Sequence, residues 1–308
     1  MTTTTNNTFN AQTATFGVEI ETVPTHSGHG NDTGWHPAAG VGGYHRGIEL
    51  SEFRGTAAEG WKAERDSSLG YGGIEFISPV LSGYSGLNSI GFACEWFRDN
   101  GRKVDNNCGV HIHIGIPGND MRVIQRLVRL VAHFEKALYG MTGTTYRESC
   151  GYTRSIKNGT VRHETETKEW KKKKNMRDLD YCGFERMATL NLTNIISGRR
   201  PAVEFRVFSP SLNASKIAAW VQVCLALVEA AHAETRIRDM DYTPTAKYAK
   251  GTTGIAHATL NYFFAAMGWT KGAIETTRGD LRHESYSIAD SKKILRRLCK
   301  KYDSRSNG

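Results

Sequence analysis

Phe16–Thr22 reads FGVEIET, and its alternation decides the fold. Side chains along a strand point to opposite faces in turn, so Phe16, Val18 and Ile20 share one face while Glu19 and Glu21 share the other. Two like charges at that spacing repel unless something positive sits between them, and a divalent cation is the commonest solution. Taken alone, the pair fits a solvated strand face equally well.

The pattern recurs. In GVHIHIG, Val110, Ile112 and Ile114 alternate with His111 and His113; in VEFRVF, Val203, Phe205 and Val207 alternate with Glu204 and Arg206. In GGIEFISPV, Glu75 points away from Ile74 and Phe76, and Pro79 marks the end of the strand. Taken singly, the His-x-His pair is as readily solvated as ligating, and Glu75 and Glu204 read as surface acids. Four strands, each with an apolar and a polar face, predict an α+β fold with one sheet, its back on helices and its front lining a polar cleft. Together Glu19, Glu21, Glu75 and Glu204 supply oxygen donors suited to Mg²⁺ or Mn²⁺, and His111 and His113 add nitrogen tolerated by Mn²⁺. Arg206, a rigid fork for phosphate oxygens, makes the set fit a metal–nucleotide site.

Around these strands, apolar spacing predicts a helix over 86–101 with Leu87, Ile90, Cys94 and Phe97 on one stripe, and a stronger one over 121–139, capped by Asn119 or Asp120. A buried helix is expected over 215–234, a short basic helix over 287–302, and a further strand in MATLNLTNI at 187–195. Residues 1–12 read as a loose polar tail, and 13–308 as a single domain. Two segments lack apolar periodicity: the Gly- and His-rich stretch Thr25–Gly47, read as a long loop, and a charged insertion at about 146–180 that contains KEWKKKKNMR, read as exposed.

The 308 residues carry 40 Lys and Arg against 31 Asp and Glu, a net charge of +9 that favours anionic partners. The six cysteines are scattered with no CxxC pair, which argues against a zinc knuckle or disulfide framework and for a reducing, cytoplasmic setting. The first residues lack the basic and apolar regions of a signal peptide. The longest apolar run is interrupted by Gln222 and Glu229, so no membrane span is expected. Cys108 and His133 read as packing residues.

Four motifs in order, FGVEIE, RDSSLGYGGIEFISP with Asp66 ahead of Glu75, NNCGVHIHIG and AVEFRVF, spread over Phe16–Phe208. In them the chain resembles the amidoligase family, carboxylate–amine ligases related to glutamine synthetase and glutamate–cysteine ligase. The resemblance implies a curved, mostly antiparallel sheet, a glutamine-synthetase-like funnel for ATP and metal ions with helices on its outer face. It implies metal ligation by Glu19, Glu21, Glu75 and Glu204 with His111 or His113. It also places His113 and Arg206 at the nucleotide, Arg206 against the moving phosphoryl group, and Asp66 as candidate base. The implied reaction joins a small-molecule or peptide carboxylate to an amine through an acyl phosphate made with ATP and Mg²⁺ or Mn²⁺. The Lys-rich insertion and the His-rich loop between His26 and His45 depart from a plain family member, and no Walker-type Gly-Lys-Ser/Thr loop is present.

Two rival readings stand beside this one. A His-x-His strand with nearby Glu also suits Fe²⁺ or Zn²⁺ in a cupin-like oxygenase or a hydrolase, where two acids in VEIE are surplus. The net charge, with Trp170 beside Lys171–Lys174, suits an acidic polymer or nucleic acid, although no base-reading motif accompanies it.

Overall fold

The computed structural model describes residues 9–25, 27–28, 31–32, 37–157, 170–237, 243–269 and 286–306. The expectations for residues 1–8, for His26, His29 and His36, and for 158–169 of the insertion lie outside the described residues, as does the side chain of Lys171.

The four alternating stretches form strands of one antiparallel sheet. In chain order its main strands are β1 (Thr15–Pro24), β2 (Ile48–Glu49), β3 (Lys62–Glu64), β4 (Ile74–Ile77), β5 (Val110–Gly115), β6 (Leu190–Asn191) and β7 (Ala202–Phe208). They lie side by side as β6-β7-β5-β1-β4-β3-β2, and two short segments, Leu81–Ser82 and Arg102–Lys103, add to β1 to make nine strands. β1 is central because it is both the longest and the most completely paired, with β5 on one edge and β4 on the other. Between Phe205 and Phe208 the β7–β5 register slips at a bulge. Such a bulge bends the strand and re-aims the side chains within it, here Arg206 and Val207.

The apolar faces of the strands join a single core: Phe16, Val18, Ile20, Ile112, Ile114, Val203 and Phe205 are all buried. Among the described residues, five long helices complete it: α1 (Gly83–Asp99), α2 (Met121–Gly140), α3 (Ala214–His232), α4 (Ile255–Ala266) and α5 (Ile288–Ser306). α1 covers the β3–β4 side, where Phe97 stacks on Phe76 at 4.0 Å between ring centroids and Trp61 donates its indole N–H to Ser89 Oγ at 2.9 Å. α3 lies against the middle of the sheet, with Trp220 stacked on Phe208 at 5.0 Å. By length and composition α3 could cross a membrane, but it is buried as the core helix of this fold. α4 and α5 form the outer layer on α2 and α3.

Asp120 caps α2 by accepting the Arg122 N–H at 2.8 Å, which settles the choice between it and Asn119. α5 is longer than the short helix expected and buries Leu295, Leu298, Cys299 and Tyr302 beneath its basic face. MATLNLTNI forms only the two residues of β6. Asn191 Oδ1 then accepts the Thr193 N–H, and a helical turn follows over Thr193–Ile196. The end of the expected tail belongs to the fold: Ala11 is buried and Phe9 stacks on His232. The described parts of the insertion are anchored by Arg147, Thr153, Ile156, Trp170 and Leu179, which are buried, while Glu148, Tyr152, Lys172 and Lys174 among others stand exposed as expected. Their apolar contacts come from isolated residues, a pattern with no period to read. Cys108 packs with Val23 and Leu69, and His133 lies edge-on to Tyr262, both as expected.

Candidate active site on the polar face of the sheet

Strand pairing sets the acids and imidazoles into two rows. In one, Glu64, Glu75 and Glu21 stand directly opposite one another across β3, β4 and β1. In the other, Glu19 of β1 faces His111 of β5, and Glu204 of β7 faces His113. Side chains directly opposite in an antiparallel pair have Cβ atoms about 5 Å apart, so the register alone brings these charges into contact.

His111 is the hub. Its Nδ1 lies 3.1 Å from Glu19, 3.6 Å from Glu204 and 4.0 Å from Glu75, and its Nε2 lies 3.8 Å from Glu21. His113 Nε2 lies 3.0 Å from the other Glu19 oxygen. Arg206 donates from Nη1 to Glu204, and Asn191 donates to the second Glu204 oxygen at 2.6 Å. All seven strand residues predicted for the site therefore meet on one face. Asp66 lies at the edge of the same cleft, but its carboxylate accepts the Ser68 N–H at 2.7 Å and so caps a short turn.

Burial makes these charges interdependent. Burial opposes ionisation of Glu19, yet the charge of His113 and hydrogen bonds from both imidazoles outweigh it and hold the carboxyl well below the usual range. Burial likewise opposes the charged form of His113, but Glu19 and Glu204 raise its pKa. For Glu204 the same penalty is overcome by Arg206 and the two imidazoles, and its pKa is lowered. Glu75 has no such partner: burial, followed by the charges of Glu19, Glu21, Glu64 and Asp66, pushes it to about 10, so it holds a proton at neutral pH. A cation would replace that proton. Two groups, Glu19–Glu75–His111 and Glu19–His113–Glu204, each have ligand atoms mutually within 4.8 Å. With three carboxylates to two imidazoles across the two groups, and Glu21 in neither, the donor set fits a hard divalent cation.

Four residues of the site escaped the sequence reading. Glu64 is buried beside Glu75 and accepts the His45 backbone N–H at 3.2 Å. Asn191 had the signal in plain view, a polar residue between Leu190 and Leu192. Arg147, from the insertion, reaches in to donate to the Arg206 backbone carbonyl at 2.7 Å, at the bulge in β7. Arg186 is held by the Tyr44 hydroxyl at 2.8 Å across the mouth of the cleft.

The acids and imidazoles thus line a cleft on an open antiparallel sheet backed by helices. Residues 12–228 match the family described as "Putative amidoligase enzyme", and the chain belongs to that family. No curated protein matches it in sequence. Among solved structures it is similar to a bifunctional glutathione synthetase from Pasteurella multocida, at 12% identity and a TM-score of 0.49 over 98% of this chain and 49% of that one. It is also similar to the complex between prokaryotic ubiquitin-like protein Pup and its ligase PafA, at 10% identity and a TM-score of 0.46 over 96% of this chain and 66% of that one. The chain thus spans about half the length of the first and 66% of the second.

Proposed function

We propose that the protein is an ATP-dependent carboxylate–amine ligase. The observation that carries this reading is the convergence of Glu19, Glu21, Glu75, Glu204, His111 and His113 beside Arg206, within a chain of the amidoligase family. These acids and imidazoles would hold Mg²⁺ or Mn²⁺, which when bound with ATP neutralises phosphate charge and makes the terminal phosphoryl group transferable to a carboxylate. An amine displaces phosphate from the resulting acyl phosphate, forming the amide.

The chain's own residues orient and stabilise. Glu204 and Asn191 fix the Arg206 guanidinium on the floor of the cleft, where its charge offsets that developing on the transferred group. His111, bracketed by four glutamates, holds them apart in fixed positions. Asp66, at the edge of the cleft, would take the proton from the attacking amine on its second oxygen, since the Ser68 N–H occupies only Oδ1. The same donors favour Mg²⁺ or Mn²⁺ over the Fe²⁺ or Zn²⁺ of a cupin-like oxygenase or hydrolase, because carboxylates outnumber imidazoles.

The test incubates the protein with ATP and Mg²⁺ against mixed acids, peptides and amines, following ADP and phosphate and identifying any new amide by mass. Release that requires both acid and amine is expected. Glu204→Gln should lower it roughly a hundredfold to a thousandfold with the circular dichroism unchanged. Full activity in that variant, or a response to Zn²⁺ or Fe²⁺ alone, would overturn the reading.

A further inference from the structure

Beside the acid cluster the cleft deepens into a cavity of about 170 Å³ whose walls differ in character from the strand face. Glu21, His111 and Arg206 form the border with the cluster, and the outer walls carry Arg147, Arg186 and Asn107. Arg147 is 3% exposed and Arg206 7% exposed, and the Nε–H of each is buried without a hydrogen-bond partner. Buried guanidinium donors left unpaired cost free energy unless a ligand accepts from them. The backbone makes room for this arrangement: a Cβ at Gly109 would stand 3.2 Å from both Arg147 Nη2 and His111 Nε2.

We infer that Arg147, Arg186 and Arg206 form an oxyanion pocket that holds a carboxylate of the acid substrate. This rests on the ligase reading for the word substrate, but the pocket itself rests on the unpaired buried donors. Two features select a carboxylate over a nucleotide phosphate. The volume lies below the roughly 300–1,000 Å³ typical of sites for drug-sized ligands, which suits a short anionic group. Arg206 is already paired with Glu204, and the other two lining arginines, Arg147 and Arg186, balance Glu21 and Asp66, so the pocket suits a single negative charge and not the several of a nucleotide phosphate. A planar carboxylate also suits the paired N–H donors of a guanidinium.

Arg186 is exposed and is tethered by Tyr44, so its replacement leaves the core intact. The experiment measures thermal shifts and calorimetric binding of the full chain with glutarate, L-glutamate, inorganic phosphate and a non-hydrolysable Mg–ATP analogue. Wild type should bind a carboxylate probe, Arg186→Ala should need about tenfold more of it, and Arg147→Lys at least as much more, with the Mg–ATP analogue shift retained in both variants. Should Arg147→Lys fail to fold, Arg186→Ala carries the test. The assignment is overturned if neither carboxylate binds wild type, if phosphate binds in their place, or if Arg186→Ala weakens the nucleotide analogue and leaves the carboxylate unchanged. Carboxylate binding that depends on Arg186 in a protein blind to the Mg–ATP analogue would overturn the ligase reading and leave the pocket standing.

Discussion

At the scale of single residues, Glu75 is the side chain most altered by its surroundings. Its pKa near 10 in the metal-free fold, against about 4.5 unfolded, means that between those values the folded state holds a proton that the unfolded chain has released. Stability from this group is therefore full below pH 4.5 and declines as pH rises towards 10, by at most about 1.4 kcal/mol per pH unit. Chemical denaturation of metal-free protein should show Glu75→Gln more resistant than wild type at pH 9 and little different at pH 4. Glu19 and Glu204 act in the opposite sense, since lowered values stabilise above pH 4.5 and that contribution is lost as pH falls. At Gly109 a methyl group would stand 3.2–3.3 Å from Arg147, His111 and Glu21 and displace these side chains by a few tenths of an ångström, so Gly109→Ala should weaken Mg²⁺ and carboxylate binding measurably while moving the melting temperature little. The strand acids were legible in the sequence because period two is a rigid consequence of strand geometry. Glu64 was not, because a three-residue strand is too short to display a period, and Arg147 was not, because it sits in a charged segment with no period at all.

At the scale of elements, buried carboxylates outside the cleft hold separate segments together. Glu135, inside α2, accepts from the Ile156 N–H at 2.8 Å and from the hydroxyls of Ser155 and Thr189, tying the insertion and the approach to β6 to one helix. Glu135→Ala would leave these donors buried and unpaired, and should cost about 3 kcal/mol in urea denaturation. Asp303 of α5 accepts from the Ala256 and His257 N–H groups at 3.2 and 3.1 Å, so one helix caps the start of another. Asp303→Ala should cost about 1–2 kcal/mol by the same measurement. α1, α2 and α5 could be read from the spacing of their apolar residues and α3 from an apolar run that is buried on nearly every side, whereas α4 was not anticipated. The fate of MATLNLTNI could not, since its two-residue strand ends where Asn191 turns its side chain back on the Thr193 N–H.

At the scale of the whole molecule, a single sheet with helices behind it followed from four amphipathic strands, its curvature and antiparallel pairing from the family resemblance, and the bulge in β7 that aims Arg206 left no trace in the alternation of VEFRVF. Mg²⁺ or Mn²⁺ should raise the melting temperature, by an amount that corresponds to about 2.7 kcal/mol at one hundred times the dissociation constant. The gain should be larger at pH 8 than at pH 6, because the cation displaces the Glu75 proton. A scan at fixed Mg²⁺ and varied pH checks it, and an equal shift at both values would refute the coupling.

The contact between Tyr44 and Arg186 across the cleft mouth separates two jobs that many enzymes entangle. Sheet strands own the groups that would do chemistry, whereas two surface loops own the entrance. On the proposed ligase reading, exchanging residues in those loops would retune which acid is admitted without disturbing strand register, leaving the strand floor open to laboratory evolution towards new amides.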